Sequence, residues 1–404
     1  MKNVPDIRFK GFEDEWISVL FSNIAKISRG LTYSPSCINT KGVRVLRSSN
    51  IVEGNFCIFD NDIFVNEKSV NIPFAHNKDI LITAANGSTN LVGKHCLINI
   101  SNEEKFVHGG FMLIAKSSEP EFLHYSMFSD WYRRFLRVGT TGGNGAICNL
   151  NKTELAKNKI FVSKYKCEKT KLSNLFLNLD NNIKTLHKKI ASLKQLKSAC
   201  LISMFPQQGE TVPRVRFKGF DGEWNEQKAE VIFRQFIEKN RPDLPVLSAT
   251  QDRGMVTRKA IGYDISHDKR NECTYKHILP GQFVIHLRSF QGGFAHSDIE
   301  GIASPAYTVF EFRDKNQHND IFWKYIFSSK SFIKQLEKIT YGIRDGRSIS
   351  FDEFKDMKFI IPCVKEQHQI ASYFRNLDIQ ISEQEKRLEK LKQIKAACLD
   401  KMFV

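Results

Sequence analysis

The sequence is short of the features that would announce chemistry. No stretch approaches the ~20 consecutive apolar residues of a membrane-spanning helix, and the opening MKNVPDIRFKGF lacks the apolar core of a secretory signal. A soluble cytoplasmic protein is therefore expected, with no membrane partner. Its nine cysteines (Cys37, Cys57, Cys96, Cys148, Cys167, Cys200, Cys273, Cys363 and Cys398) are scattered, and no two stand as C-x-x-C. That excludes a zinc ribbon or thioredoxin-type motif and suits a reducing compartment. The eleven histidines form no H-E-x-x-H and no close zinc-binding pair. Gly87 and the Gly93-Lys94-His95 run miss the P-loop spacing and end on His. Ser304-Pro305-Ala306-Tyr307 is the nearest approach to an amino-methyltransferase loop; it lacks the second proline and reads as a strand start. The Glu-x-Lys triplets at Glu103–Lys105, Glu226–Lys228 and Glu353–Lys355 have no convincing upstream Pro-Asp partner of the nuclease kind, and such triplets arise by chance in any charged chain. No metal site, cofactor loop or catalytic set is written here, and a non-enzymatic role is expected.

What is present is positive charge and length. Sixty Lys and Arg stand against 44 acidic residues, a net charge of +16, which favours a polyanionic partner through counterion release. The plainer reading of the same surplus is a basic proteome or a merely soluble surface. At 404 residues, 41% of them hydrophobic and with 32 Phe to fill cores, the chain has material for at least two domains.

The chain is also written twice. Val4-Pro5-Asp6-Ile7-Arg8-Phe9-Lys10-Gly11-Phe12, ending on Glu15-Trp16, returns from Val212-Pro213 through Arg216-Phe217-Lys218-Gly219-Phe220 to Glu223-Trp224. Phe176–Asp180 returns as Phe374–Asp378, and Ser198-Ala199-Cys200…Met204-Phe205 as Ala396-Ala397-Cys398…Met402-Phe403. The borders agree, while the middles differ in length by about ten residues. A duplication with diverged middles is the simplest account.

Each copy closes on a long helical stretch. From Glu168 to Met204 there is neither Pro nor Gly, and apolar or small residues recur at Leu179, Ile183, Leu186, Ile190, Leu193, Cys200 and Met204, broken at Lys197. The second copy keeps this register at Leu377, Ile381, Gln384, Leu388, Leu391, Lys395, Cys398 and Met402. Alternating steps of four and three are the coiled-coil period. Helices of ~37 residues would run ~55 Å. Equal length and register predict that the two pair, with Leu179, Ile183, Leu186, Ile190, Leu193, Leu377, Ile381, Leu388 and Leu391 at the interface. The alternative is two amphipathic helices, each lying on its own domain.

The middles alternate short strands with helices. Residues 44–52, 79–83, 96–100 and 106–115 read as strands before a helix over 121–137; 244–249, 281–287 and 306–312 echo them before a helix over 320–338. The expected fold class is therefore α/β (α+β). It comprises a first domain over 1–165, a helix over 166–205, a second domain over 206–363 and a C-terminal helix over 364–404.

A V-P-x-x-R-F-x-G-F-x-x-E-W opening, a variable domain, a Gly-rich turn leading into Asn149-Leu150-Asn151-Lys152-Thr153-Glu154-Leu155, and a long helix ending in Met-Phe, all repeated, form a distinctive order. It resembles the specificity subunits of type I restriction–modification systems over essentially the whole chain. The second helix opens on Pro362-Cys363-Val364-Lys365-Glu366-Gln367, close to the family's P-x-x-x-E-Q; the first, Ser163 to Lys169, lacks the proline. The resemblance implies two tandem target-recognition domains, each reading one half of a bipartite, asymmetric site in double-stranded DNA. The two helices would form an antiparallel coiled coil around an internal pseudo-twofold axis and dock two methyltransferase subunits and, through the complex, restriction subunits. S-adenosylmethionine, ATP and magnesium would then belong to those partners, and this chain would hold no cofactor.

Base edges are read best by Arg, Lys, Asn and Gln, and phosphates by Lys, Arg, Ser, Thr and glycine amides. In the first half such residues gather at Arg44 and Arg47-Ser48-Ser49-Asn50, at Asn86-Gly87-Ser88-Thr89-Asn90, and in the Gly139–Gly145 turn with Thr140, Thr141 and Asn144. In the second they gather at Thr250, Gln251 and Arg253, at Arg288, Ser289 and Gln291, and at Tyr341, Arg344 and Arg347. These are the candidate DNA contacts, against the plainer reading that they are ordinary polar turns. Two other functional classes are a coiled-coil adaptor that never touches DNA and a stand-alone DNA-modifying enzyme. The first leaves the charge and the diverged heads unexplained; the second lacks a complete catalytic motif.

Overall fold

The opening motif R-F-x-G-F is a clamp. In the computed structural model, which describes residues 3–100, 104–141, 148–207, 209–250, 253–261, 269–286, 293–339 and 349–404, Arg8 grips Glu168 in a fork, Nε to Oε1 at 2.6 Å and Nη2 to Oε2 at 2.9 Å. Arg216 grips Glu366 in the same way, at 2.8 Å on both arms. Both carboxylates lie at the first turn of a long helix, Lys166–Ser203 or Val364–Lys401. A Pro-free, Gly-free run at coiled-coil period thus becomes a 38-residue helix in each copy, and the motif ties the incoming chain to its start.

The chain divides into two units, one made of Met1–His187 with Lys386–Val404, the other of Lys188–Glu385. In the first unit a four-stranded antiparallel sheet runs in the order His95–Leu97, Ile80–Thr83, Met112–Ser117, Ala25–Arg29. Beside it Phe106–His108 lies parallel to Val43–Leu46, which pairs with Ile63–Val65. Alternation along Met112–Ser117 explains the two layers: Leu113 and Ala115 enter the core with the helices, Met112 and Ile114 a smaller core between sheets. The second unit repeats the main sheet as Phe233–Gln235, Thr308–Phe312, Phe283–Ile285, Phe294–His296. A strand pair closes the base of each, Ile17–Leu20 on Lys159–Val162 and Asn225–Lys228 on Lys358–Ile361.

The helices expected over 121–137 and 320–338 are each two helices, Pro120–Ser126 with Asp130–Gly139, and Asp320–Phe327 with Lys330–Ile339. Serine makes the corner. The Ser129 hydroxyl donates to the Ser126 carbonyl at 2.7 Å, and Ser329 Oγ accepts from the Phe332 amide at 3.2 Å, local bonds that compete with a continuous helix.

Within each unit the two long helices run antiparallel. In the first, Phe176 stacks on Phe403 at 5.7 Å between ring centroids and Asp180 takes Lys395 at 2.5 Å. In the second, Lys194 meets Glu385 at 2.7 Å, Lys197 meets Asp378 at 2.5 Å, and Cys200 Sγ lies 3.4 Å from the Tyr373 hydroxyl. Every residue of the predicted stripe is buried or half-buried, Leu179, Leu186, Ile190, Leu377 and Ile381 fully so, while Ile183, Leu193, Leu388 and Leu391 are partly covered.

The polar breaks in that stripe, Lys197 and Lys395, are polar for a reason. Tyr125 donates to Asp180 at 2.8 Å, Lys395 reaches the other carboxylate oxygen, and its ammonium lies 5.9 Å from the Tyr125 ring. In the second unit Tyr325 donates to Asp378 at 2.7 Å and Lys197 lies 5.2 Å from that ring. Burial and then the adjacent carboxylate push both phenols far above the ordinary tyrosine value, so they remain donors.

Glu168 and Glu366 have side chains only 1% exposed, so removing the arginine leaves a buried charge without its partner. Arg8→Ala and Arg216→Ala are each expected to cost about 3–5 kcal/mol in urea unfolding near neutral pH. Burial raises the Glu168 pKa, but the hydrogen bonds from Arg8 and Ser163 outweigh it and hold the group below the usual glutamate value. Its contribution is thus present above the ordinary glutamate range and lost as the pH falls through the depressed value. The gap between wild type and Arg8→Ala should close in acid; a gap constant with pH would contradict the clamp.

Candidate nucleic-acid interface

Three loop clusters that are far apart in the first half of the sequence meet on one side of the first unit. The Ser48–Asn50 turn follows the strand Val43–Leu46, and the Asn86 amide donates to Ser48 Oγ at 3.4 Å. Asn86 also accepts the Ser88 amide at 3.0 Å, an Asx turn that fixes the loop and leaves Ser88, Thr89 and Asn90 exposed. The flanks of the glycine-rich turn arrive at the same place. Cys148–Leu150 pairs with Ala85–Asn86 on one side and with Thr140–Thr141 on the other. Asn151 ends that strand and caps the next helix, its Oδ1 accepting from the Thr153 amide at 2.9 Å. The N-L-N-K-x-E-L motif is therefore a strand end joined to a helix cap, and it anchors the turn. Asn144 lies outside the described residues, and Thr140 and Thr141 are placed by their backbone alone.

Two of the predicted contacts do not face solvent. Asn50 is fully buried: its amide nitrogen donates to the Cys57 carbonyl at 2.9 Å and to both Asp62 oxygens at 3.0 Å, and its Oδ1 accepts from the Arg47 amide at 2.8 Å. Arg44 donates to Asp62 at 3.0 Å and to Glu104 at 2.9 Å, with its guanidinium 4.5 Å from the Phe64 ring centre. These residues build the floor under the Ser48 turn rather than its outer face, which corrects the sequence expectation. Residue type alone does not separate a loop's tip from its buttress. Arg47 is half-buried, and among the described residues its Nε finds no acceptor.

In the second unit Thr250 and Arg253 sit at the mouth of the hairpin formed by Leu247–Thr250 and Gly254–Thr257. Thr250 Oγ1 donates to the Gly254 carbonyl at 2.8 Å and accepts the Arg253 amide at 3.2 Å, leaving the Arg253 side chain exposed. Gly254 has φ +69°, and a Cβ there would lie 2.3 Å from the His296 carbonyl oxygen, so only glycine lets this hairpin approach the strand Phe294–His296. In sequence, Arg288, Ser289 and Gln291 precede that strand. Those three residues, with Gln251, Tyr341, Arg344 and Arg347, lie outside the described residues. Ser350 caps the helix Phe351–Lys355, its Oγ accepting from the Glu353 amide at 3.2 Å while Glu353 accepts from the Ser350 amide at 2.8 Å.

Residues 226–393 match the family model of the Type I restriction modification DNA specificity domain. That span, somewhat under half of the chain, is similar to a type I restriction–modification DNA specificity domain. The matched span lies in the second copy of a unit that the chain contains twice, and its borders recur contact for contact in the first. The fold agrees. A crystal structure described as a type I restriction–modification system S subunit from M. genitalium superposes with a TM-score of 0.61 at 13% identity, over 99% of both chains. A second structure, titled for complex assembly and conformational transition of the type I R-M system, gives 0.52 at 14% identity over 96% of this chain and 97% of that one. No curated protein sequence matches.

The polar network beneath the Ser48 turn gives a clean separation of roles. Asn50→Ala is expected to cost about 1–3 kcal/mol of stability, because Asp62 loses a buried donor. It should leave sequence preference unchanged in protein that remains folded. Thermal unfolding together with the methylated motif checks both, and a changed motif at unchanged stability would restore Asn50 to the contact surface.

Proposed function

We propose that each unit reads one block of a split, asymmetric site in double-stranded DNA, and that the chain performs no catalysis of its own. The observation that carries this reading is the convergence of the Arg47–Ser49 and Asn86–Asn90 segments with the strands Thr140–Thr141 and Cys148–Leu150 on one side of the first unit. These segments offer amide, hydroxyl and guanidinium groups with few internal partners on a chain of net charge +16. Amides and guanidinium forks suit base edges; hydroxyls and main-chain amides suit phosphates. In the second unit we assign the corresponding contacts to Thr250 and Arg253 and, from residue type alone, to Gln251, Arg288, Ser289, Gln291, Tyr341, Arg344 and Arg347. Because the two sets differ residue by residue, the two blocks should differ in sequence.

Methyl transfer and cleavage then fall to methyltransferase and restriction subunits, which would bind S-adenosylmethionine, ATP and magnesium. The long helices would offer docking positions: outside the buried stripe, Lys184, Lys188 and Lys189 on the first and Lys386, Arg387 and Lys390 on the second are exposed. Among the described residues no helix is long and apolar enough to cross a membrane.

Co-expression with cognate methyltransferase subunits, followed by genome-wide mapping of methylated adenines, should return a motif of two defined blocks around an undefined spacer. Asn86→Ala combined with Ser88→Ala should relax one block by about 1–3 kcal/mol of discrimination and leave the other intact. A continuous motif, methylation without this chain, or both blocks changing together would each sink the reading.

A further inference from the structure

Beside the polar groups of the first unit stands one apolar side chain that the fold does not use. Phe111 is 66% exposed, the most exposed aromatic ring among the described residues, although it lies between the two-glycine step Gly109-Gly110 and the fully buried Met112. It is not on a loose loop. The Met112 amide closes a tight turn on the Gly109 carbonyl at 2.8 Å. The Phe111 carbonyl accepts both the Ala84 and Ala85 amides, at 2.8 and 3.1 Å, and the Gly109 amide donates to the Leu46 carbonyl at 2.9 Å. Behind the turn, Gly30 lies so close that a Cβ there would stand 1.9 Å from the Gly109 carbonyl oxygen. The turn is held from three sides, and the ring projects from a fixed base.

Its neighbours are the residues already singled out. Leu46, which anchors Gly109, precedes Arg47; Ala85, which anchors Phe111, precedes Asn86; and a Cβ on Gly109 would lie 3.9 Å from Arg47 Cγ. A rigid, exposed aromatic ring set among base-reading polar groups is the arrangement by which proteins place an apolar surface against a base.

The second unit has the same turn without the ring. Ala115 pairs with Ile80 as Phe310 pairs with Phe283, and Ser117 pairs with Ala25 as Phe312 pairs with Phe233. Carrying that register back sets Gly109–Met112 on Ser304–Tyr307, where the Tyr307 amide closes on the Ser304 carbonyl at 3.0 Å. Ala306 occupies the place of Phe111. The scaffold therefore tolerates a methyl group at this position, and nothing in the fold demands an aromatic.

We propose that Phe111 is a specificity-determining residue of the first unit, its ring making apolar contact with a base of the block that unit reads. This rests on the function proposed above. The contact would be either packing on a thymine methyl or insertion at a base step, two forms of one apolar base surface.

The test uses the full chain co-expressed with its cognate methyltransferase subunits and duplexes carrying the motif mapped for that complex. Phe111→Ala should weaken binding or relax one base position by about tenfold, in the first block only, with thermal unfolding unchanged because the ring is exposed. Phe111→Leu should lose less. In wild type, a 2-aminopurine scan of the block reports insertion as increased fluorescence at one step, whereas replacing thymine with uracil reports methyl packing as a loss that Phe111→Ala no longer shows. Either signature supports the proposal. Unaltered affinity and motif in Phe111→Ala overturn it. If Asn86→Ala with Ser88→Ala alters the block in the same assay, Phe111 alone is dismissed; if that variant is silent too, the reading of the whole surface fails with it.

Discussion

Each unit closes its core on a phenylalanine that arrives at the very end of a long helix, and this closure constrains everything around it. In the first unit Phe403 meets Trp16 at 6.2 Å, Phe122 at 5.8 Å and Phe176 at 5.7 Å; in the second, Phe205 meets Trp224 at 6.2 Å, Phe322 at 5.5 Å and Phe374 at 6.1 Å. The ring that completes the first unit belongs to the second copy of the sequence, and the ring that completes the second belongs to the first. Truncating a ring so buried costs about 3–5 kcal/mol, a large share of a domain's stability. Neither head can therefore complete its core from its own copy, and the long helices must run antiparallel within each unit for those rings to arrive. The main chain repeats the constraint. The Ile7 amide donates to the Lys401 carbonyl and the Val215 amide to the Ser203 carbonyl, both at 2.9 Å.

The Asp–Tyr–Lys networks add selectivity to that apolar closure. Leucine in place of Lys197 or Lys395 would extend the stripe, yet an uninterrupted stripe tolerates slippage by a heptad. A lysine whose carboxylate and tyrosine partners occupy fixed places does not, because any slip strands the Asp180 or Asp378 carboxylate beside a tyrosine without its cation. The identical arrangement in the two units, from residues 198 apart on the helices (Asp180 and Asp378, Lys197 and Lys395), argues that duplication preserved the lock as one piece.

This explains what could be read from the residues and what could not. The framework was legible because its interactions are made by border residues that recur: Arg8 and Arg216, Trp16 and Trp224, Asp180 and Asp378, Phe205 and Phe403. Their repetition revealed the duplication before their roles were known, and the period of Leu179 to Met204 gave the helix pairing. The expected helices over 121–137 and 320–338 concealed corners, because Ser129 and Ser329 break a helix through bonds that composition does not display. The candidate contact surface was legible only by type. Asn50 and Asn86 look alike in sequence, both in short Ser/Asn runs, but one is pinned beneath the turn by Asp62 and the other lies on its rim. What separates them is Asp62, twelve residues from Asn50, and no local pattern links the two.

That division between framework and rim also accounts for how one fold could carry two different sets of exposed side chains. The turns Gly109–Met112 and Ser304–Tyr307 have the same main-chain bond and the same place in the sheet, since both depend on strand register and not on the side chain at the tip. A change from alanine to phenylalanine at the tip alters no core contact, so folding places little restriction on it. A change at Asp62 or Glu168 would leave buried donors or charges stranded and is resisted. Divergence is thus channelled to positions such as Phe111 and Ala306, whose side chains face outward from backbones the framework holds still. A stiff backbone is what lets a single substituted side chain alter the exposed surface without altering the fold.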